Sequence, residues 1–280
     1  MEILTTLEGM RQSVQNEKRR GRTIGLVPTM GFLHAGHLSL VRISRAEADV
    51  TVVSLFVNPI QFGPKEDLKT YPRDFDRDAA MLRAEGADYL FAPTDEDMYP
   101  REYRTFVEVR ELQDRLCGRT RPGHFRGVCT VVLKLFDLVE PDCAVFGQKD
   151  VQQALILKRM VADLNVPVRM IVAPIVREPD GLAMSSRNTY LNPEERQAAL
   201  VLSRSLAEAR AMIDAGERNA GRVLSRIRSL IDAELAARIE YVEAVDPDGL
   251  MPVAGLRDGT LIALAVFIGR TRLIDNLIVS

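Results

Sequence analysis

The sequence predicts an α/β protein, a Rossmann-like, doubly wound and mostly parallel sheet followed by a smaller α+β unit. Three observations carry this. Short apolar, β-branched runs alternate with segments of helical spacing over residues 23–174, with brief connections between them. The runs are apolar at consecutive positions, as strands buried on both faces are. Beyond residue 175 the pattern changes to two long helical segments and then to apolar runs joined by Gly269 and Arg270, the mark of a hairpin.

Residues 23–27, "TIGLV", read as a buried strand ended by Pro28 and Gly31. Residues 37–48 carry Leu38, Leu40, Val41 and Ala48 at helical spacing, and 50–57, "VTVVSLFV", form the next strand. Strand, helix and strand within forty residues make a βαβ unit with a right-handed crossover. A helix over 74–85, strands at 88–93 and 105–109, and a helix over 128–139 follow. A strand at 143–147, a helix over 151–164 and a strand at 168–174 complete the first domain. The boundary falls near Pro174, giving domains of residues 1–174 and 175–280, the second expected to close over a nucleotide. The second holds helices near 193–215 and 219–236, a strand at 239–246 and the hairpin over 260–279.

The 280 residues are 46% hydrophobic and 27% charged, with a net charge of −2, which argues against a protein that coats nucleic acid or an anionic membrane. An anionic ligand must therefore meet a local cluster of positive charge. The start, "MEILTTLEGM", has no signal-peptide pattern, and "TLIALAVFIG" is too short to span a bilayer. Cys117, Cys129 and Cys143 form no C-x-x-C pair, so reduced cysteines and a cytoplasmic location are expected.

Two of the three histidines, His34 and His37, sit in "GFLHAGHLSL" after the first strand and at the opening of the first helix. Ligands of doubly wound sheets bind at such strand ends, and a helix N-terminus favours phosphate. Gly31 and Gly36 allow close approach of backbone and ligand. Neither a P-loop nor a G-x-G-x-x-G motif is present. Asn58 and Gln61 follow the second strand, where neutral amides suit a hydroxylated or carboxylated small molecule; plain turn residues are the competing reading. Arg119, Arg121, His124 and Arg126 form a basic loop, equally readable as a solvated surface. Lys149 is one of six lysines against thirty-one arginines and lies at a strand end beside Asp150, with Gln153 one turn on. Ser185, Ser186 and Arg187 form a donor-rich loop, or merely a cap for the helix that follows Pro193.

Together "PTMGFLHAGH", "FVNPIQF", "YPRD", "PGHFRGV", "FGQKD" and "MSSRN" resemble the pantothenate synthetase (pantoate–β-alanine ligase) family, in that family's order. The H-x-G-H loop is also similar to that of the wider nucleotidyltransferase superfamily. The resemblance implies a two-step reaction: pantoate attacks the α-phosphorus of ATP to give pantoyl adenylate and pyrophosphate, then β-alanine takes the acyl group and releases AMP. It implies His37, His34 and Lys149 as catalytic groups on the phosphates. It implies ATP contacts at Met30, Gly147, Gln148, Lys149, Asp150, Val176, Met184, Ser185, Ser186 and Arg187. Gln61 and Gln153 would hold pantoate, and Asn58, Arg121 and His124 the amine substrate. Mg²⁺ is implied on the phosphates, with Asp78 as a supporting ligand, although Arg77 interrupts the acidic run there. A homodimer is implied as well. Phe32 is larger than the small residue expected beside the histidines. Two competing readings are another H-x-G-H nucleotidyltransferase and an ATP sensor without turnover.

Overall fold

The computed structural model describes residues 1–64 and 66–280. Its first layer grows from the apolar runs named above. Strands β1 (Glu2–Leu4), β2 (Ile24–Thr29), β3 (Val50–Leu55), β4 (Tyr89–Phe91), β5 (Cys143–Gly147) and β6 (Arg169–Ala173) form one six-stranded sheet. All its pairings are parallel, in the order β1-β4-β3-β2-β5-β6. From β2 the chain winds outward through β3 and β4, then returns to β5 and β6 on the other side. The order therefore reverses between β2 and β5, and a crevice opens beyond their carboxyl ends.

The helices are α1 (Leu7–Arg19), α2 (Ala35–Glu47), α3 (Phe75–Glu85), the single turns α4 (Asp95–Met98) and α5 (Cys117–Thr120), α6 (His124–Val139) and α7 (Val151–Asp163). Besides the single turns α4 and α5, two elements went unread in the sequence. β1 is three residues long, too short to show a period, and is fixed by pairing with Tyr89–Phe91. α1 starts at a Thr6 cap whose hydroxyl accepts the Gly9 N–H. One expected strand is absent. Residues 105–109 pair with no strand among the described residues; the Val107 N–H bonds the Thr130 hydroxyl at 3.0 Å instead. Propensity reads an extended backbone but not whether a partner strand lies beside it. α6 begins four residues before the expected start at 128, because Gly123 caps it in the left-handed region at φ 82°.

The second layer comprises α8 (Pro193–Asp214), α9 (Ala220–Asp232) and the antiparallel sheet β7 (Ala237–Val245), β8 (Leu261–Ile268) and β9 (Thr271–Ile278). Ile268 pairs with Thr271 across the two-residue turn Gly269–Arg270, as the hairpin pattern predicts. Both faces of β8 are covered. Leu261, Ala263 and Ala265 join the main core, while Ile262, Leu264, Val266 and Ile268 join the core beneath α8 and α9. That explains an uninterrupted apolar run in an antiparallel strand. In α9, Val223, Ile227 and Ile231 are fully buried at a spacing of four, so truncating one to Ala costs about 2–5 kcal/mol.

Candidate active site

β2 ends at Thr29, and the chain turns through Gly31 (φ 84°) and Phe32 (φ 50°) into α2, with His34 as its N-cap. A left-handed Phe costs about 1–2 kcal/mol, so something must hold it. Asp78, on α3 and 1% exposed, accepts the N–H groups of Phe32 at 2.6 Å and Leu33 at 2.8 Å. Its neighbour Arg77 donates to the Leu33 carbonyl at 2.9 Å and stacks over the Phe32 ring at 5.0 Å. This corrects the expectation for Asp78 as a Mg²⁺ ligand. Both carboxylate oxygens are committed to the backbone of the histidine turn, and the residue lines neither cleft described below. Phe32, the bulky residue of the turn, is the platform for Arg77.

The His34 and His37 rings lie 4.0 Å apart between centroids. The His34 N–H donates to His37 Nδ1 at 3.3 Å, which leaves the His37 proton on Nε2. Burial, the neighbouring His34 and the Lys149 ammonium hold the His37 imidazole well below the usual histidine range. Burial first and then Lys149 lower His34 to about 4. Both rings are thus neutral near pH 7 and act as hydrogen-bonding groups rather than cations. Among the described residues His34 Nδ1 is buried without a hydrogen-bond partner. A Cβ on Gly36 would stand 2.9 Å from two atoms of the His34 ring, so a side chain there would displace that ring.

Because β2 and β5 are neighbours, the turn after β5 meets the histidine turn. Gly147, Gln148, Lys149 and Asp150 form it, and the Lys149 ammonium stands 3.8 Å from the Asp150 carboxylate. On the far side Arg177 bridges Ala183, and Met184 N–H bonds the Val176 carbonyl at 3.0 Å, a hairpin that presents Ser185–Arg187. Ser186 Oγ donates to the Phe32 carbonyl at 3.2 Å, tying this loop to the histidine turn. Arg187 forms a two-bond pair with Asp67 at 2.8 and 2.9 Å, above the Tyr71 ring. These segments enclose an open cleft of about 890 Å³ lined by Met30, His34, His37, Lys149, Val176 and Ser185.

A second cleft of about 910 Å³ shares His37, Tyr71, Asp150, Gln153 and Arg187 with the first and continues to Asn58, Gln61 and His124. Gln61 Nε2 lies 3.2 Å from Met30 Sδ, and its Oε1 accepts Asn58 Nδ2 at 3.0 Å. Asn58 also donates to the Gly127 carbonyl at 3.1 Å and accepts the Tyr99 hydroxyl at 2.8 Å. Its amide is saturated, so it orients Gln61. The His124 ring donates from Nδ1 to the Gln61 carbonyl at 2.9 Å and accepts Arg121 at Nε2 at 3.0 Å. Burial and then Arg121 push His124 down to about 3. Arg121 closes on Glu66 through two bonds of 2.9 and 2.5 Å. Asn58, Arg121 and His124 therefore line the cleft as a bonded wall rather than as free polar ends. Gln153 faces both clefts.

Sequence reading missed Asp67 and Tyr71, which seat Arg187, and Asn276, which bonds the Lys149 turn. Tyr71 stands in the quoted "YPRD"; Asp67 and Asn276 carry no local signal.

The family model described as pantoate-beta-alanine ligase matches residues 2–278. A pantothenate synthetase of Heliobacterium modesticaldum is 55% identical over 280 residues, covering the full length of both chains. One of Thermoanaerobacter pseudethanolicus is 54% identical over 278 residues, covering 99% of this chain and 98% of its own. The crystal structure of pantothenate synthetase from Thermus thermophilus superposes with a TM-score of 0.95 at 45% identity, covering 100% of this chain and 99% of that one. A Francisella tularensis pantoate-beta-alanine ligase, complexed with beta-gamma ATP and beta-alanine, gives 0.81 at 34% identity, covering 99% and 97%. With its H-x-G-H turn, paired amides and two clefts in that frame, the chain belongs to the pantoate-beta-alanine ligase family.

Proposed function

We propose that the chain joins pantoate to β-alanine at the expense of ATP, through pantoyl adenylate. A pantoate carboxylate oxygen attacks the α-phosphorus and pyrophosphate leaves with the bonding electron pair. The β-alanine nitrogen then attacks the acyl carbon, AMP leaves, and the new amide nitrogen sheds a proton. The observation that carries this reading is the convergence, beyond β2 and β5, of His34, His37 and Lys149 with the amides of Gln61 and Gln153.

In this reading ATP lies in the first cleft against Met30, Gly147–Asp150, Val176 and Met184–Arg187. His37 Nε2–H and the His34 ring serve phosphate oxygens, and Lys149 adds a point charge. Gln61 and Gln153 hold pantoate, and β-alanine enters beside the wall of Asn58, Arg121 and His124. Holding carboxylate and phosphorus in attack geometry accounts for up to about 7–11 kcal/mol of a barrier. The low basicity of His37 favours hydrogen bonding over proton transfer as its part.

The residues do not fit a resident Mg²⁺ site. Among the described residues no cluster of three His, Cys, Asp or Glu side chains could hold a metal ion, and Asp78 is committed to the turn. Mg²⁺ is therefore assigned to ATP's own phosphates, and no side chain is given to it. The domains are taken as 1–174 and 175–280, supported by the end of β6 at Ala173 before Pro174. A homodimer is kept in this reading, with the exposed Phe106 ring as a candidate contact. A cytoplasmic location is supported by Cys117, Cys129 and Cys143, which are free. No helix among the described residues is long and apolar enough to cross a membrane.

The test uses pantoate labelled with ¹⁸O in its carboxylate. Label appearing in AMP supports the adenylate route; label confined to pantothenate excludes it.

A further inference from the structure

Two consecutive residues of β9, Asp275 and Asn276, are polar yet only 2% and 4% exposed. Burying such groups is costly without partners, so the partners define what the pair does. Asn276 Nδ2 donates to the carbonyls of Gln148 at 3.0 Å and Lys149 at 3.1 Å. Its Oδ1 accepts Gln148 Nε2 at 3.2 Å, so both donor hydrogens and the oxygen are used. Asp275 takes Arg177 in a two-bond pair of 2.7 and 3.0 Å. Arg177 bridges Ala183 in the hairpin that presents Ser185–Arg187. Both residues line a third cavity, beside Lys149, Gln153, Ser185 and Arg187, rather than the two clefts above. One edge strand of the second layer thus grips the turn that carries Lys149 and the hairpin that carries the serine loop.

We infer that Asn276 is a positioning residue for Lys149, and that with Asp275 it sets the separation of the two segments that face the ATP phosphates. This role rests on the assignment of Lys149 to those phosphates. Asn276 acts through the turn's two carbonyls and the Gln148 amide, so its influence falls on the step that handles pyrophosphate. The transfer of an already activated acyl group to an amine does not need a correctly aimed Lys149.

The experiment places Asn276→Ala and Asn276→Asp in the parent enzyme and in Lys149→Ala. The Asp variant keeps the shape but turns an acceptor toward two carbonyls; the Ala variant removes the bonds without repulsion and serves if the other does not fold. Circular dichroism verifies folding, pantoate-dependent exchange of pyrophosphate into ATP reports the first step, and aminolysis of supplied pantoyl adenylate reports the second. The expected result is at least a 30-fold loss of exchange in a folded variant, aminolysis within threefold of the parent, and a further loss below threefold in the Lys149→Ala background. Exchange near the parental rate, equal losses in both steps, or a full loss persisting without Lys149 would overturn the role. Unimpaired exchange in Lys149→Ala alone overturns the assignment of Lys149 itself, and this inference with it.

Discussion

Gly127 lies against the turn that carries Gln61 with no space for a side chain. A Cβ there would stand 2.6 Å from Gln61 Cα and from the Ile60 carbonyl oxygen, and 2.7 Å from Gln61 N. Ordinary contact begins at 3.4 Å, so Gly127→Ala forces two backbone segments apart by about 0.8 Å, the difference of 3.4 and 2.6 Å. None of the three obstructing atoms is the flexible end of a side chain. The strain also pulls on the bond from Asn58 to the Gly127 carbonyl, which orients Gln61. Overpacking of this kind costs about 1–3 kcal/mol, which lowers Tm by a few degrees. Displacing a substrate-positioning group by about 1 Å costs on the order of 100-fold in rate. The assay is adenylation at varied pantoate, then at varied ATP, with the melting curve recorded alongside. We expect kcat/KM for pantoate to fall about 30- to 100-fold. KM for ATP should stay within about threefold, because the histidine and Lys149 turns do not touch Gly127. A folded variant with pantoate kcat/KM within threefold of the parent would refute the reasoning.

Two further outcomes follow from the buried groups. Asp78→Asn sets an amide donor against one of two backbone donors, leaving a buried N–H unpaired at a cost of about 1–3 kcal/mol. Adenylation should slow about tenfold with an unchanged Mg²⁺ activation constant, and a tenfold rise in that constant would return Asp78 to the metal. The histidines make stability depend on pH. His34 and His124 sit at about 4 and about 3 when folded, below their ordinary value of 6.5, so between these limits the unfolded chain binds more protons. Their contribution is full above pH 6.5 and is lost as pH falls, by about 1.4 kcal/mol per pH unit for each histidine. Urea midpoints should fall between pH 7 and 5, a window above most carboxylate titration; equal midpoints would contradict the buried, neutral imidazoles.

The parallel sheet was legible because its two longest strands, β2 and β3, are local apolar runs buried on both faces. The H-x-G-H turn was legible because its glycines and histidines are contiguous, and the space that Gly36 leaves is taken by the His34 ring two residues away. What stayed hidden depends on distant partners. Residues 105–109 have strand composition, but pairing needs a neighbour that local sequence does not name. The resemblance implied Asp78 as a metal support, and nothing local reveals that the backbone donors of Phe32 and Leu33 take its carboxylate. His124 and Arg121 looked free because their mutual bond and the Glu66 carboxylate come together only on folding. Asn276 is separated by 127 residues from the lysine whose carbonyl it binds.

Activation through a free acyl adenylate makes pantoate-dependent exchange the decisive measurement. Labelled pyrophosphate is incubated with the protein, ATP, Mg²⁺ and pantoate, with β-alanine left out. Label is expected in ATP only when pantoate is present, with the rate lost in His37→Ala. No exchange from folded protein that binds ATP and pantoate, or exchange that needs β-alanine, would contradict it.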